Sequence, residues 1–132
     1  MYFLGEAGKL KKFRFRMQVV LDMREKELEE RQMEMAKIIA ALNSQKQKLQ
    51  DILTAQENNK IKLEALYTAD SLDIMQVEFH RDYGIKLVVD EQNQNRIISN
   101  TESILKVKQN EVKEAHLKVE VLKVKILIVM QF

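Results

Sequence analysis

The sequence predicts an all-α protein: an antiparallel two-helix coiled-coil hairpin with a short helical segment at the turn. Three observations carry that expectation. The 132 residues contain no Pro and only 3 Gly, so the turn residues that a mixed or all-β fold needs are missing. Charged residues make up 32% of the chain, above the roughly 25% of ordinary globular domains, which suits long solvated helices. Apolar residues recur at seven-residue steps in two long stretches separated by one interruption.

The first helix is expected over about residues 15–66. A step of seven from Leu21 lands on Leu21, Leu28, Met35, Leu42, Leu49, Gln56 and Leu63, six of them apolar. Taking these as a positions, the d positions are Arg24, Arg31, Ile38, Gln45, Ile52, Asn59 and Leu66, a mixed row that packs loosely and leaves open whether a second chain compensates it. The segment Tyr67-Thr-Ala-Asp-Ser71 interrupts the pattern, with Asp70 or Ser71 as the expected N-cap of the next helical stretch. This places a corner at about 67–84, where Gly84 either kinks a helix or separates a short one from the last. The second long helix is expected over about 85–125. Its seam is Ile98, Leu105, Val112, Val119 and Ile126, flanked by Leu87, Gln94, Thr101, Lys108, Ala115 and Leu122. Length allows a single domain over 1–132. Short connections favour antiparallel neighbours, and a helix of about 50 residues would be roughly 75 Å long. Such a hairpin has no enclosed interior, which argues for a protein that touches other proteins.

Net charge is only +2, but it is unevenly spread. Residues 1–20 hold five basic residues against Glu6, and residues 106–132 hold six Lys against three Glu. Residues 67–105 hold seven acidic against three basic residues. A hairpin would therefore have basic termini and an acidic corner. Charge runs on helices are commonly solvated faces. The coincidence of two basic termini instead favours a partner with an acidic rim.

Two local patterns add to this. Lys12-Phe13-Arg14-Phe15-Arg16 alternates basic and aromatic residues just ahead of the first heptad, where a helix start would favour acidic residues. It reads as a contact site, although Phe13 or Phe15 could equally close the open end of the hairpin. The alternation also suits base stacking with phosphate neutralisation, but one short cluster at a low net charge carries little for nucleic acid. Phe79, Tyr83 and Leu87 recur at four-residue spacing near the acidic corner. They either fold back as core or form an apolar docking stripe of the helix-in-groove kind.

The search for chemistry is negative. There is no Cys, and the two histidines, His80 and His116, have no partner at metal-ligand spacing. Gly5, Gly8 and Lys9 lack the strand and Lys-Ser/Thr of a phosphate loop. Glu25, Glu27, Glu29 and Glu30 are expected to form exposed pairs with charges four residues away, Glu27 with Arg31 among them. No enzyme activity, metal or cofactor is expected. A transmembrane helix needs about 20 predominantly apolar residues, whereas the run from Val119 to Phe132 carries Glu120, Lys123 and Lys125. No signal-peptide core follows the N-terminal lysines.

The stretch Phe13-Arg-Phe-Arg-Met-Gln-Val-Val-Leu21-Asp-Met-Arg24-Glu-Lys-Glu27-Leu-Glu-Glu30 resembles the N-terminal signature of the flagellar export protein FliJ family. That signature is a basic and aromatic opening, a Leu/Val-rich turn, an Arg and a Glu-rich run in one helix. The likeness extends over residues 12–118, with Phe79-x-x-x-Tyr83-x-x-x-Leu87 near the turn. The resemblance implies a two-helix coiled coil similar to the central stalk of rotary ATPases, in the flagellar type III protein export apparatus. It implies insertion into the export ATPase hexamer, engagement of the cytoplasmic domain of the membrane export gate, and recycling of export chaperones. The location would be cytoplasmic, peripheral at the inner face of the cell membrane through the export apparatus. Carried over by position, Phe13, Arg14, Phe15, Arg16, Leu21 and Arg24 would contact the ATPase ring. Phe79, Tyr83 and Leu87 would meet the export gate, with Tyr83 standing where the family has an aliphatic residue.

The chain departs from the family at Val124-Lys-Ile-Leu-Ile-Val-Met-Gln-Phe132, which is apolar and rich in β-formers. Exposed, it would be an aggregation hazard, and packing against Met1-Tyr-Phe-Leu4 is one way to cover it. Two other functions compete with the adaptor: a generic structural coiled coil that self-associates, and a nucleic-acid-binding hairpin whose affinity falls with salt.

Overall fold

A computed structural model describes residues 2–131, with side chains from residue 8 onward. The chain is two long α-helices, α1 over Tyr2–Tyr67 and α2 over Ile74–Gln131, and they pack against each other as an all-α hairpin. Long helices follow from the composition: no proline interrupts the backbone ladder, and the charged side chains between seam positions are good helix formers.

The burial pattern reproduces the heptads. Every buried or half-buried side chain of α1 from Leu21 to Leu66 lies on the a or d row or immediately beside it. On α2 the Ile98 and Leu87 rows hold from Val77 to Val129.

The boundaries differ from expectation in five places, the end of α2 at Gln131 rather than about 125 among them. Helix α1 begins well before residue 15, so Lys9 to Arg16 are interior helical residues. The corner contracts to 68–73, because the segment expected as a separate short helix is the start of α2. Gly84 causes no break, and its φ is not positive. The N-cap is Asp73 rather than Asp70 or Ser71: its Oδ1 accepts from the Gln76 amide at 3.2 Å, and its carbonyl accepts from the Val77 amide at 3.1 Å. Asp73-x-x-Gln76 is a capping-box spacing, a signal present in the sequence. At the other side of the turn the Thr68 amide donates to the Glu64 carbonyl, and its hydroxyl donates to the Glu64 and Ala65 carbonyls, the latter an orphan acceptor at the end of α1.

The contacts divide into two units. Unit 1 comprises residues 1–37 and 105–132, and unit 2 comprises residues 38–104. In unit 1 the antiparallel seam holds Leu21, Leu28 and Met35 of α1 with Leu105, Val112, Ala115 and Val119 of α2, and Val119 is only 2% exposed. In unit 2 it holds Leu42, Leu49 and Ile52 with Val77, Leu87 and Ile98. The tail through Gln131 is helical despite its β-formers, since Ile126 and Val129 are half-buried along the seam rows. The expected cover from Met1 to Leu4, and Phe132 itself, lie outside the described side chains.

Candidate partner-binding surfaces

In unit 1 the sequence-marked residues separate into surface and seam. Phe13 and Phe15 project outward, Phe15 being 71% exposed, and Lys12, Arg14 and Arg16 are exposed beside them. Leu21 is 7% exposed and belongs to the core. Arg24 is half-buried at the seam, with Nη1 3.1 Å from Glu27 Oε2. Four of the six expected ring-contact residues are therefore accessible, distributed around the helix at 100° per residue, while Leu21 and Arg24 belong to its seam. The helix-dipole conflict invoked for this cluster does not arise, because the cluster is not at a helix start. Unit 1 carries fifteen basic and ten acidic residues, net +5.

Above this surface the unit is fastened by an ion tetrad. Arg31 Nη1 lies 3.3 Å from Glu34 Oε2 and 3.4 Å from Glu111 Oε2. Lys108 Nζ lies 3.3 Å and 3.5 Å from the same two oxygens. Arg31 and Lys108 occupy seam positions on opposite helices, so each cation faces a carboxylate on its own helix and one across the seam. Hydrogen bonds from Lys108 and then Arg31 hold the Glu34 carboxyl below the usual glutamate range. The bond to Glu34 raises the lysine, against some desolvation, and the bond and charge of Glu34 raise the arginine. Arg31 thus pairs with Glu34 and Glu111, and Glu27 with Arg24, in place of the expected Glu27–Arg31 pair.

In unit 2 the Phe79–Tyr83–Leu87 row turns as it climbs α2. Phe79 is 65% exposed, Tyr83 stands at the edge, and Leu87 is 4% exposed in the core. The Phe79 and Tyr83 rings stack with centroids 6.4 Å apart and planes at 4°, and Phe79 meets the His80 ring edge-on at 5.2 Å. An open cleft of about 340 Å³ runs beside them, floored by Asn59 and His80 and edged by Lys62. Of the three expected export-gate residues, the accessible ones are thus the stacked Phe79 and Tyr83. Leu87 positions them from below.

The cleft floor is a polar lock that the sequence reading did not identify. Asn59 is 5% exposed and donates from Nδ2 to the His80 carbonyl at 2.8 Å. Its Oδ1 is 2.9 Å from His80 Nδ1. Since the amide oxygen only accepts, Nδ1 carries the proton in this arrangement. Gly84 makes room for the lock, because a Cβ there would lie 3.1 Å from Asn59 Nδ2. Stepping the Leu87 row back by seven reaches His80, and the Ile98 row back by fourteen reaches Gly84, so the signal was present. Further along, Gln94 donates to the Gln45 carbonyl at 2.9 Å and Gln56 to Glu91 at 2.9 Å, while the buried Gln45 Oε1 has no hydrogen-bond partner.

Among the described residues no group of His, Cys, Asp and Glu is arranged to hold a metal, and no helix is long and apolar enough to cross a membrane. The molecule defined by these features is an all-α two-helix hairpin with exposed aromatic and basic side chains in unit 1 and an exposed aromatic pair in unit 2. No family model, curated protein or solved structure matches the chain.

Proposed function

We propose that the chain is a coiled-coil adaptor that works by contacting other proteins, with no catalytic site of its own. Within that class the reading supported best is a flagellar export protein of the FliJ family, a stalk-like element of the type III export apparatus. The observation that carries it is the exposed belt Phe13, Arg14, Phe15 and Arg16, four consecutive residues that ring the helix just ahead of the seam layer at Met17 and Leu21, within a unit of net charge +5. A basic and aromatic belt on a two-helix unit suits a ring with an acidic rim, through steering and cation–π contact. The stacked Phe79–Tyr83 pair, beside Asp82 and Glu78, is the surface offered to the cytoplasmic domain of the export gate. Export chaperones are the third partner class, and the working place is the cytoplasm at the inner face of the membrane.

The test is steady-state ATP hydrolysis by a flagellar export ATPase with the parent chain and with Arg14→Glu/Arg16→Glu, alongside sedimentation of each mixture. The parent should raise turnover and drive hexamer formation, and the double variant should do neither while keeping its helix content. Unchanged turnover and assembly with the parent would overturn the family reading and leave a coiled coil whose partner lies elsewhere.

A further inference from the structure

The apolar tail is not used by the adaptor reading, yet it presents an ordered surface. Leu117, Val121, Val124, Leu127 and Ile128 are 51–61% exposed on α2. Their neighbours Ala115, Val119, Leu122 and Ile126 fill the seam on the opposite side of the same helix. At 3.6 residues per turn the five aliphatic side chains occupy an arc of about 120°, with Glu120 inside it on the row of Leu127. Lysines border both edges: Lys123 on one, Lys118 and Lys125 on the other, all exposed. Glu114 bounds the stripe at its N-terminal end, and the Glu120 carboxylate within the band is paired with Lys123 at 3.9 Å, which offsets its charge.

We infer that this outer face of α2, from Leu117 to Ile128, docks on an anionic lipid surface. A band of aliphatic side chains edged by lysines on both sides is the pattern of a helix lying in a membrane interface, its lysine stems running along the apolar surface and their ammonium groups at the phosphates. The net charge of +5 on unit 1 gives the attraction that a short apolar band needs as its second signal. A second copy of the chain fits less well, because a homotypic contact would bring these lysine rows against each other. A partner helix fits less well too. The row spans under two heptads before Asn110 and Glu114 interrupt it, whereas a stable coiled-coil seam takes about three or four.

The experiment is vesicle flotation of the full chain with phosphatidylcholine alone and with phosphatidylglycerol added, at low and high salt. Binding should require the anionic lipid and weaken with salt. Lys118→Gln/Lys123→Gln/Lys125→Gln should lower partitioning on the order of 100-fold, from about 1 kcal/mol per lysine. Val121→Asp/Ile128→Asp should abolish it, while the exposed unit 2 control Lys46→Gln/Lys48→Gln should bind as the parent does. Circular dichroism confirms that each variant retains its helices. Absence of flotation, equal flotation on neutral vesicles, or flotation that survives the aspartates would overturn the inference. So would a parent dimer that the aspartates dissociate, since that would assign the stripe to a second copy.

Discussion

Replacing Gly84 by alanine separates generic helix propensity from the close approach that the structure shows at that position. In an open helix interior the change stabilises by about 1 kcal/mol, because glycine loses more backbone entropy on folding. Here the new methyl would meet Asn59 Nδ2 at 3.1 Å, so the amide must retreat by a few tenths of an ångström. It is not free to do so, since it is held by bonds of 2.8 and 2.9 Å to His80. Those two bonds are worth about 1 kcal/mol each, and disturbing them offsets the gain in propensity. Gly84→Ala in the parent should therefore be neutral or destabilising. In an Asn59→Ala background, itself about 2 kcal/mol less stable than the parent, the same change should recover the full 1 kcal/mol or so. The coupling between the two sites should be at least about 1 kcal/mol, within the range seen for touching residues. Urea unfolding followed at 222 nm, with equal m-values across the four proteins, measures it. Equal effects of Gly84→Ala in both backgrounds would refute the lock.

Asp73→Ala removes the cap of α2 and should cost about 1 kcal/mol, with the loss of amide-exchange protection concentrated at Gln76 and Val77. Leu21→Ala opens a cavity in the unit 1 seam and should cost about 2 kcal/mol, whereas Phe15→Ala should leave the urea midpoint within about 0.5 kcal/mol of the parent. For the tetrad the sign follows from Glu34, whose carboxyl is held below its ordinary value when folded. The unfolded chain binds that proton more readily, so the stabilisation is present above the ordinary glutamate range, about pH 4.3, and is lost as pH falls through the lower folded value. Lys108 and Arg31 are raised, so their share is lost only at strongly alkaline pH. Glu34→Gln should thus be less stable than the parent at pH 7, with the gap closing towards pH 3 in parallel unfolding curves.

The fold was legible because its information is periodic. Two seven-residue rows with six apolar members in seven on one side leave little choice of partner face, and the side chains of Leu21, Leu42, Leu87 and Val119 lie where that period puts them. The boundaries were less legible, since N-terminal residues of good helix propensity continue a helix without any apolar signal. At the corner, Gly84 resembles a breaker until its neighbour across the seam is known. Of the candidate contact residues, exposure had to come from three dimensions. Phe79 and Leu87 are eight residues apart, and eight residues at 100° each turn the helix about 80° beyond two full revolutions, enough to carry one side chain from solvent into the core.

The polar seam residues were the open question in the heptad reading, and the geometry gives them a common role within each unit. A helix pair held only by leucines can slide by a heptad at small cost, whereas a polar or charged pair across the seam penalises every register but one. In unit 1 a slide of seven would set Arg31 against Lys118 or Ile104 in place of Glu111. In unit 2 the same slide would set Asn59 against Leu87 or Asp73 in place of His80. Each alternative leaves a partly buried cation or a buried amide without its partner, which costs more than an apolar layer loses. The Arg31 and Asn59 side chains that weaken the seam as hydrophobic layers find partners within the chain, whereas the buried Gln45 Oε1 has none. Fixed register sets which side of unit 2 displays Phe79 and Tyr83, and in unit 1 it sets which of the consecutive residues Phe13 to Arg16 turn away from α2.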